Sequence, residues 1–147
     1  MNFLHDIDPY FQDLPLAQRD SLQKRLSILL KGREEIIFAY LHGSFVTGIP
    51  FKDIDIALYI DIQRVAANQH QEYREQLSEE LSNILHQIFD VSLMNNTPAS
   101  FNLTIFKEGE LLFSKDETLR TDIIEASSLS SMRDEAFSMQ YLREIVF

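Results

Sequence analysis

A chain of 147 residues with 45% hydrophobic and 24% charged residues has the size and mix of one soluble globular domain able to bury a core. Its net charge of −10, from 13 basic and 23 acidic residues, argues against direct nucleic-acid binding, and leaves solubility, a basic protein partner or a divalent metal as readings of the acidity. The lack of cysteine excludes disulfides, iron–sulfur clusters and thiol catalysis, while no apolar run nears the ~20 residues of a membrane span and no secretory signal is visible at Met1–Asp6, so a cytoplasmic protein is expected.

Residues 1–13, with Pro9, Tyr10 and Phe11, read as a loose arm. From Pro15 to Lys31, Leu22, Leu26, Leu29 and Leu30 fall at helical spacing. Asp13 with Pro15 fits a helix start, and Gly32 a stop. Ile36–Leu41 is a short apolar run, predicted to be a buried strand ended by Gly43-Ser44. Phe45–Lys52 holds Gly48 and Pro50 and is expected to be a loop. Ile54–Ile60 is the second strand, with Asp53, Asp55, Ala57 and Tyr59 on one face and Ile54, Ile56, Leu58 and Ile60 on the other.

Asp61 is placed to cap the next helix. Between Ile62 and Ile88, the residues Tyr73, Leu77, Leu81, Ile84, Leu85 and Ile88 form a helical stripe, preceded by a polar segment that reads as loop or frayed turn. Phe89–Met94 is a third strand. Thr97 and Pro98 suit the N-cap and first position of a short helix that ends at Gly109. Glu110–Ser114 is a fourth strand, and the chain is helical from Asp116 onward. The serine-rich run at 127–131 predicts a helix break, with Ser131 and Asp134 as a restarting capping box. No repeat or linker divides the chain, so residues 1–147 are read as a single domain, with an arm at 1–13 and a C-terminal helical segment at 116–147. The apolar end, from Tyr141 to Phe147, is core packing or a partner surface.

The candidate chemistry lies between Tyr40 and Ile60. Aspartates at i and i+2 of a strand point the same way, about 7 Å apart at the backbone. Asp53 and Asp55 can therefore converge on one or two divalent cations, and Mg²⁺ favours such oxygen ligands together with waters and substrate phosphates. Asp90, early in the third strand, is positioned to supply a third carboxylate. A glycine after a strand lets backbone N–H groups approach a phosphate, and a serine hydroxyl adds a donor. Only eight residues separate Ser44 from Asp53, so turn and carboxylates must be neighbours. Taken singly, Gly43-Ser44 is an ordinary turn and Asp-Ile-Asp a solvated strand end; together they fix turn, spacing and strand.

These residues resemble a known family. His42-Gly43-Ser44-Phe45-Val46-Thr47-Gly48 followed by Asp53-Ile54-Asp55-Ile56-Ala57-Leu58 is similar to the Gly-Ser…Asp-X-Asp signature of the polymerase-beta-type nucleotidyltransferases. Phe89–Pro98 and Phe106–Phe113 are similar to the continuation in minimal nucleotidyltransferases, the antitoxin partners of HEPN-domain toxins. The resemblance covers nearly the whole chain. It implies Asp53, Asp55 and Asp90 as catalytic residues and ligands of Mg²⁺ (two ions), and Gly43 and Ser44 as the ATP-phosphate turn. The implied activity is transfer of AMP from ATP to a tyrosine hydroxyl of a HEPN toxin held in a hetero-oligomer. The segment between Ser44 and Asp53 is shorter than the family's usual one. Lys52 stands where a serine commonly precedes the first aspartate, and Thr47 where an arginine is often found. Lys52 is a candidate triphosphate contact or a surface lysine.

The expected fold is α/β, or α+β in stricter usage: a small mixed sheet of about four strands with helices packed on one face, as in the polymerase-beta palm. The metal site is expected at the open edge or the opposite face. Two other functions stay open. One is a small-molecule (aminoglycoside-type) nucleotidyltransferase, for which little chain remains after the fourth strand to build an acceptor domain. The other is a catalytically weak or inactive module that neutralises its partner by contact. His5, His42, His70 and His86 show no metal-ligand spacing, and His42 is read as packing beside the turn or as a general base.

Overall fold

The computed structural model describes residues 11–146, with side chains as far as position 135. Four strands, β1 (Ile36–His42), β2 (Asp53–Ile60), β3 (Ile88–Leu93) and β4 (Glu110–Ser114), form one sheet in the order β3-β2-β1-β4. β1 pairs antiparallel with β2 and with β4, while β2 and β3 run parallel, so the sheet is mixed. Parallel neighbours need a long crossover. It is supplied by residues 61–87, which contain α3 (His70–Leu85). The other helices are α1 (Leu16–Lys31), the single turn α2 (Ser44–Thr47), α4 (Ala99–Glu108) and α5 (Glu117–Val146).

Strand alternation gives the sheet two apolar faces. Ile54, Ile56, Leu58 and Ile60 of β2, with Ala39 and Leu41 of β1, meet Leu22, Leu26 and Leu30 of α1 and Leu77, Leu81 and Leu85 of α3 in the main core. The expected helical layer on one face is this one. The other face carries a second cluster: Phe38, Tyr40 and Ala57 pack with Ile105 of α4, and Phe106 and Ile123 join from α4 and α5. The rings of Phe38 and Tyr59 stack at 5.2 Å, and Phe106 meets Tyr40 edge-on at 5.4 Å. Arg120 of α5 donates to the Tyr40 hydroxyl at 2.7 Å. α4 and α5 thus cover part of the second face, and the end of the sheet beyond them carries the carboxylates.

Several local expectations are corrected. Asp13 does not cap α1; Pro15 precedes the first turn, and Asp13 pairs with Arg19 at 3.6 Å. Asp61 caps a turn rather than α3, accepting from the Gln63 amide at 3.0 Å. Ile88 opens β3 instead of ending the helical stripe, and Ile84 is exposed. Thr97 turns its hydroxyl to Asn102 and the Leu93 carbonyl, not to the first amides of α4. The segment after Gly43 is not all loop, since one turn of helix precedes Gly48. The arm is tied where it is described: Gln12 and Phe51 exchange backbone hydrogen bonds of 2.7 and 2.9 Å. The serine run does not break α5, which is continuous. Serine costs a helix only ~0.5 kcal/mol per residue relative to alanine, and the packed face, with Ser127 buried, overrides it. Residues 1–10 and the apolar side chains from Tyr141 to Phe147 lie outside the described set.

Candidate active site

Both halves of the predicted site sit at one end of the second face. Asp53 and Asp55 occupy alternate positions of β2, half-buried, where their neighbours Ile54 and Ile56 are fully buried below. Parallel register places Asp90 of β3 beside Asp55, and antiparallel register places His42 of β1 on its other side. Three adjacent strands thus carry the row Asp90–Asp55–His42, with Asp53 one step toward the strand start.

Gly43 is fixed to this row by contact. Its φ is +78°, a conformation that suits glycine, and a Cβ built there would lie 2.2 Å from Asp55 Oδ2. The phosphate-type turn and the carboxylate are therefore packed against each other. Ser44 follows as the first residue of α2, half-buried, and Lys52 is exposed immediately before Asp53. The first amides of a helical turn have no partner within the helix and point outward. Gly48, at φ +79°, ends the turn with open space around it.

The electrostatics follow from crowding. The Asp55 carboxyl is pushed up to about 6, first by burial and then by the charges of Asp90 and Asp53. Burial lowers the pKa of His42, while Asp90 acts in the opposite sense, and His42 Nε2 is buried with no hydrogen-bond partner. An acidic group held this way suits a hard cation, which would relieve the repulsion. Among the described residues no three His, Asp or Glu side chains are gathered into a ready ligand cage. Mg²⁺ sites do not require one, since one or two carboxylates with waters and substrate phosphates complete the shell. The donor set therefore fits a divalent ion shared with a phosphate ligand.

The sequence profile of the polymerase beta nucleotidyltransferase family matches residues 24–118, which includes the turn and all three aspartates. The chain belongs to that family. No curated protein matches the sequence. Among solved structures, this nucleotidyltransferase is similar to a complex of tri-AMPylated Shewanella oneidensis HEPN toxin with MNT antitoxin, at TM-score 0.65 and 15% identity over 88% of this chain and 99% of the other. A toxin–antitoxin structure with AMP-PNP aligns at TM-score 0.65 and 16% identity over 86% and 98%. The MntA–HepT complex aligns at TM-score 0.62 and 16% identity over 86% and 99%. At such identities the likeness is one of fold.

One residue of this nucleotidyltransferase was missed in the sequence. Arg19 is 8% exposed. Its guanidinium donates to the carbonyls of Leu14 (2.9 Å), Phe45 (2.8 Å) and Ile49 (3.2 Å), and lies 5.4 and 5.1 Å from the ring centres of Phe45 and Phe51. It thereby holds the short segment between the glycine turn and Asp53 from within. A signal existed: Arg19, Leu22, Leu26 and Leu30 share one helical stripe, and an arginine on a core stripe needs buried partners.

Proposed function

We propose that this chain is a Mg²⁺-dependent adenylyltransferase acting on a protein, and that it serves as the antitoxin of a HEPN-type toxin in a cytoplasmic hetero-oligomer. The observation that carries the reading is the contact of Gly43 with Asp55, beside Asp90 in register. It brings the glycine turn and the carboxylate row together, an arrangement that supports phosphoryl transfer from a nucleotide held between them. The structural neighbour in which an MNT antitoxin is bound to tri-AMPylated HEPN toxin supports the choice of acceptor, and the structure with AMP-PNP supports an adenine nucleotide.

In this reading Gly43 and Ser44 hold the β- and γ-phosphates of ATP. Asp53, Asp55 and Asp90 would hold Mg²⁺, and Lys52 adds a positive charge beside the triphosphate. The metal, when bound, neutralises charge on the phosphates and favours the ionised acceptor hydroxyl. The residues of the chain position the triphosphate for in-line attack. A tyrosine oxygen of the partner forms a bond to the α-phosphorus, the bond to the β-phosphate oxygen breaks, pyrophosphate leaves and the hydroxyl proton passes to solvent. An open groove of about 430 Å³ runs along α3 and β3 and reaches Asp90 at the sheet edge.

The test is mass spectrometry of a HEPN-type partner after incubation with the full-length chain, ATP and Mg²⁺. The partner is expected to gain one or more AMP units on tyrosine, and the Asp53→Asn, Asp55→Asn double variant is expected to add none. A partner that is inhibited but never modified overturns catalysis in favour of neutralisation by contact.

A further inference from the structure

The two edges of the sheet differ in how they are closed. β4 bulges between Leu111 and Phe113, and α1 leans on it: Gln23 donates to Glu110 at 2.9 Å and Ser27 to the Leu112 carbonyl at 3.5 Å. β3 pairs with β2 without a shift from Ile88 to Leu93 and carries neither proline nor lysine. The Met94 amide donates to the Leu58 carbonyl at 2.7 Å, so even-numbered residues turn their backbone groups to β2, while those of Phe89, Val91 and Leu93 face outward. Ser78 donates to the Phe89 carbonyl at 2.6 Å and the Asn96 amide to the Leu93 carbonyl at 3.0 Å. That leaves the Val91 amide and carbonyl, in the middle of the strand, without a partner among the described residues. Native proteins usually blunt such an edge, because a regular one is a template for another strand.

The open edge borders the site. The row His42–Asp55–Asp90 crosses three strands on one face, and a strand laid on β3 would add a fourth place to it, opposite Asp90. That place lies ~4.8 Å beyond Asp90 at the backbone, a step that an aromatic side chain spans. Ile88, 53% exposed, shares the Asp90 face and offers an apolar contact two residues away. Below the edge lies the groove along α3, where the exposed carboxylates of Glu75, Glu79 and Asp90 outnumber the Arg74 guanidinium. We propose that an extended, basic segment of the protein partner adds to β3 as a fifth strand, bonded through its main chain to Val91, and presents the acceptor hydroxyl from the place opposite Asp90. A second copy of this chain is the alternative occupant. Two chains of charge −10 repel each other, which favours the basic partner.

The inference rests on the transferase reading, and the experiment separates the two. Amide hydrogen exchange of the full-length chain, read by NMR with and without a HEPN-type partner, reports on the edge directly. The Val91 amide is expected to exchange at least tenfold more slowly in the complex than in the free chain. The double variant Glu75→Lys, Glu79→Lys, both exposed on α3, is expected to weaken the complex at least tenfold while ATP binding, measured by calorimetry, is unchanged. A complex in which Val91 exchanges as it does in the free chain, or a charge-reversed variant that binds the partner like the wild type, overturns the edge site and leaves AMP transfer standing. Slow exchange that follows the concentration of this chain alone assigns the edge to a second copy and also overturns it. A partner that protects Val91 but never gains AMP overturns the transferase reading and, with it, the place given to the acceptor. A partner that does not bind overturns both.

Discussion

Replacing Gly43 with alanine tests the core of the proposed site, with Gly48 as the comparison. Both glycines have φ near +80° (+78° and +79°), but Gly48, at ψ 3°, is in the left-handed helical region, where alanine costs about 1–2 kcal/mol, while Gly43, at ψ −157°, lies in a region that in practice only glycine adopts, where alanine costs more. Only at Gly43 does the added methyl meet anything: Asp55 Oδ2 lies 2.2 Å away, while nothing stands within 4 Å at Gly48. For a chain of this size each kcal/mol lowers the melting temperature by roughly 2–4 °C. Gly48→Ala is therefore expected to melt several degrees lower and to keep its rate within about threefold. Gly43→Ala loses more stability and must also push the Asp55 carboxylate from 2.2 Å to at least 3.4 Å to reach ordinary contact, a displacement of more than 1 Å that costs ~10²-fold in rate, or about 2.7 kcal/mol in the barrier. The assay is single-turnover AMP transfer to the partner, read by mass, beside thermal unfolding of both variants. Equal rate losses in the two variants would show that the carboxylate contact does not matter, and a Gly43→Ala enzyme with the wild-type rate would refute the reasoning outright.

Two further predictions concern Asp55 and Arg19. The folded protein raises the Asp55 carboxyl from its usual 3.8 to about 6, so the protonated form is favoured by folding: the stability it contributes is complete below pH 3.8 and lost as pH rises through about 6. After screening by solvent at this half-exposed site the loss is about 1–2 kcal/mol, so Asp55→Asn in EDTA should be more stable than the wild type by that amount at pH 7.5 and equal to it near pH 4, although inactive. Urea unfolding across that range checks it, and a variant no more stable at pH 7.5 contradicts the electrostatic account. Arg19→Met should cost about 2–4 kcal/mol by stranding the carbonyls of Phe45, Ile49 and Leu14, and Arg19→Lys should recover little, because an ammonium cannot reproduce the planar fork. Thermal melts of the two variants that differ widely, with lysine near wild type, would show that charge alone suffices there.

The strands and the carboxylate row were legible because a period of two leaves little choice: Asp53 and Asp55 could only share a face, and the apolar residues between them had to face the core. Gly43 was legible as a turn, and the eight-residue spacing placed it near the aspartates, but its direct contact with Asp55 Oδ2 was not legible, since no local pattern fixes a side chain against a backbone atom of the next strand. The continuity of α5 was hidden by weak propensities that packing overrode. The second apolar face was hidden for a similar reason: Phe38 and Tyr40 of β1 are far in sequence from Phe101 and Phe106 of α4, and only the docking of α4 on the sheet brings them together. Arg19 was written into the leucine stripe of α1, but its acceptors are main-chain carbonyls of distant residues, which a sequence does not mark.

The parallel pairing of β2 with β3 has a consequence for how the protein is made. The turn at Gly43 and both aspartates of β2 lie within one antiparallel hairpin, a local structure that forms early on an emerging chain. Asp90 joins only after residues 61–87 have folded across the sheet, and its strand then sits at the edge with β2 as its single neighbour. A chain in which β3 has not docked has Asp53, Asp55 and His42 in place and lacks only Asp90. Fraying of that one edge would silence the site while the remaining sheet stays folded.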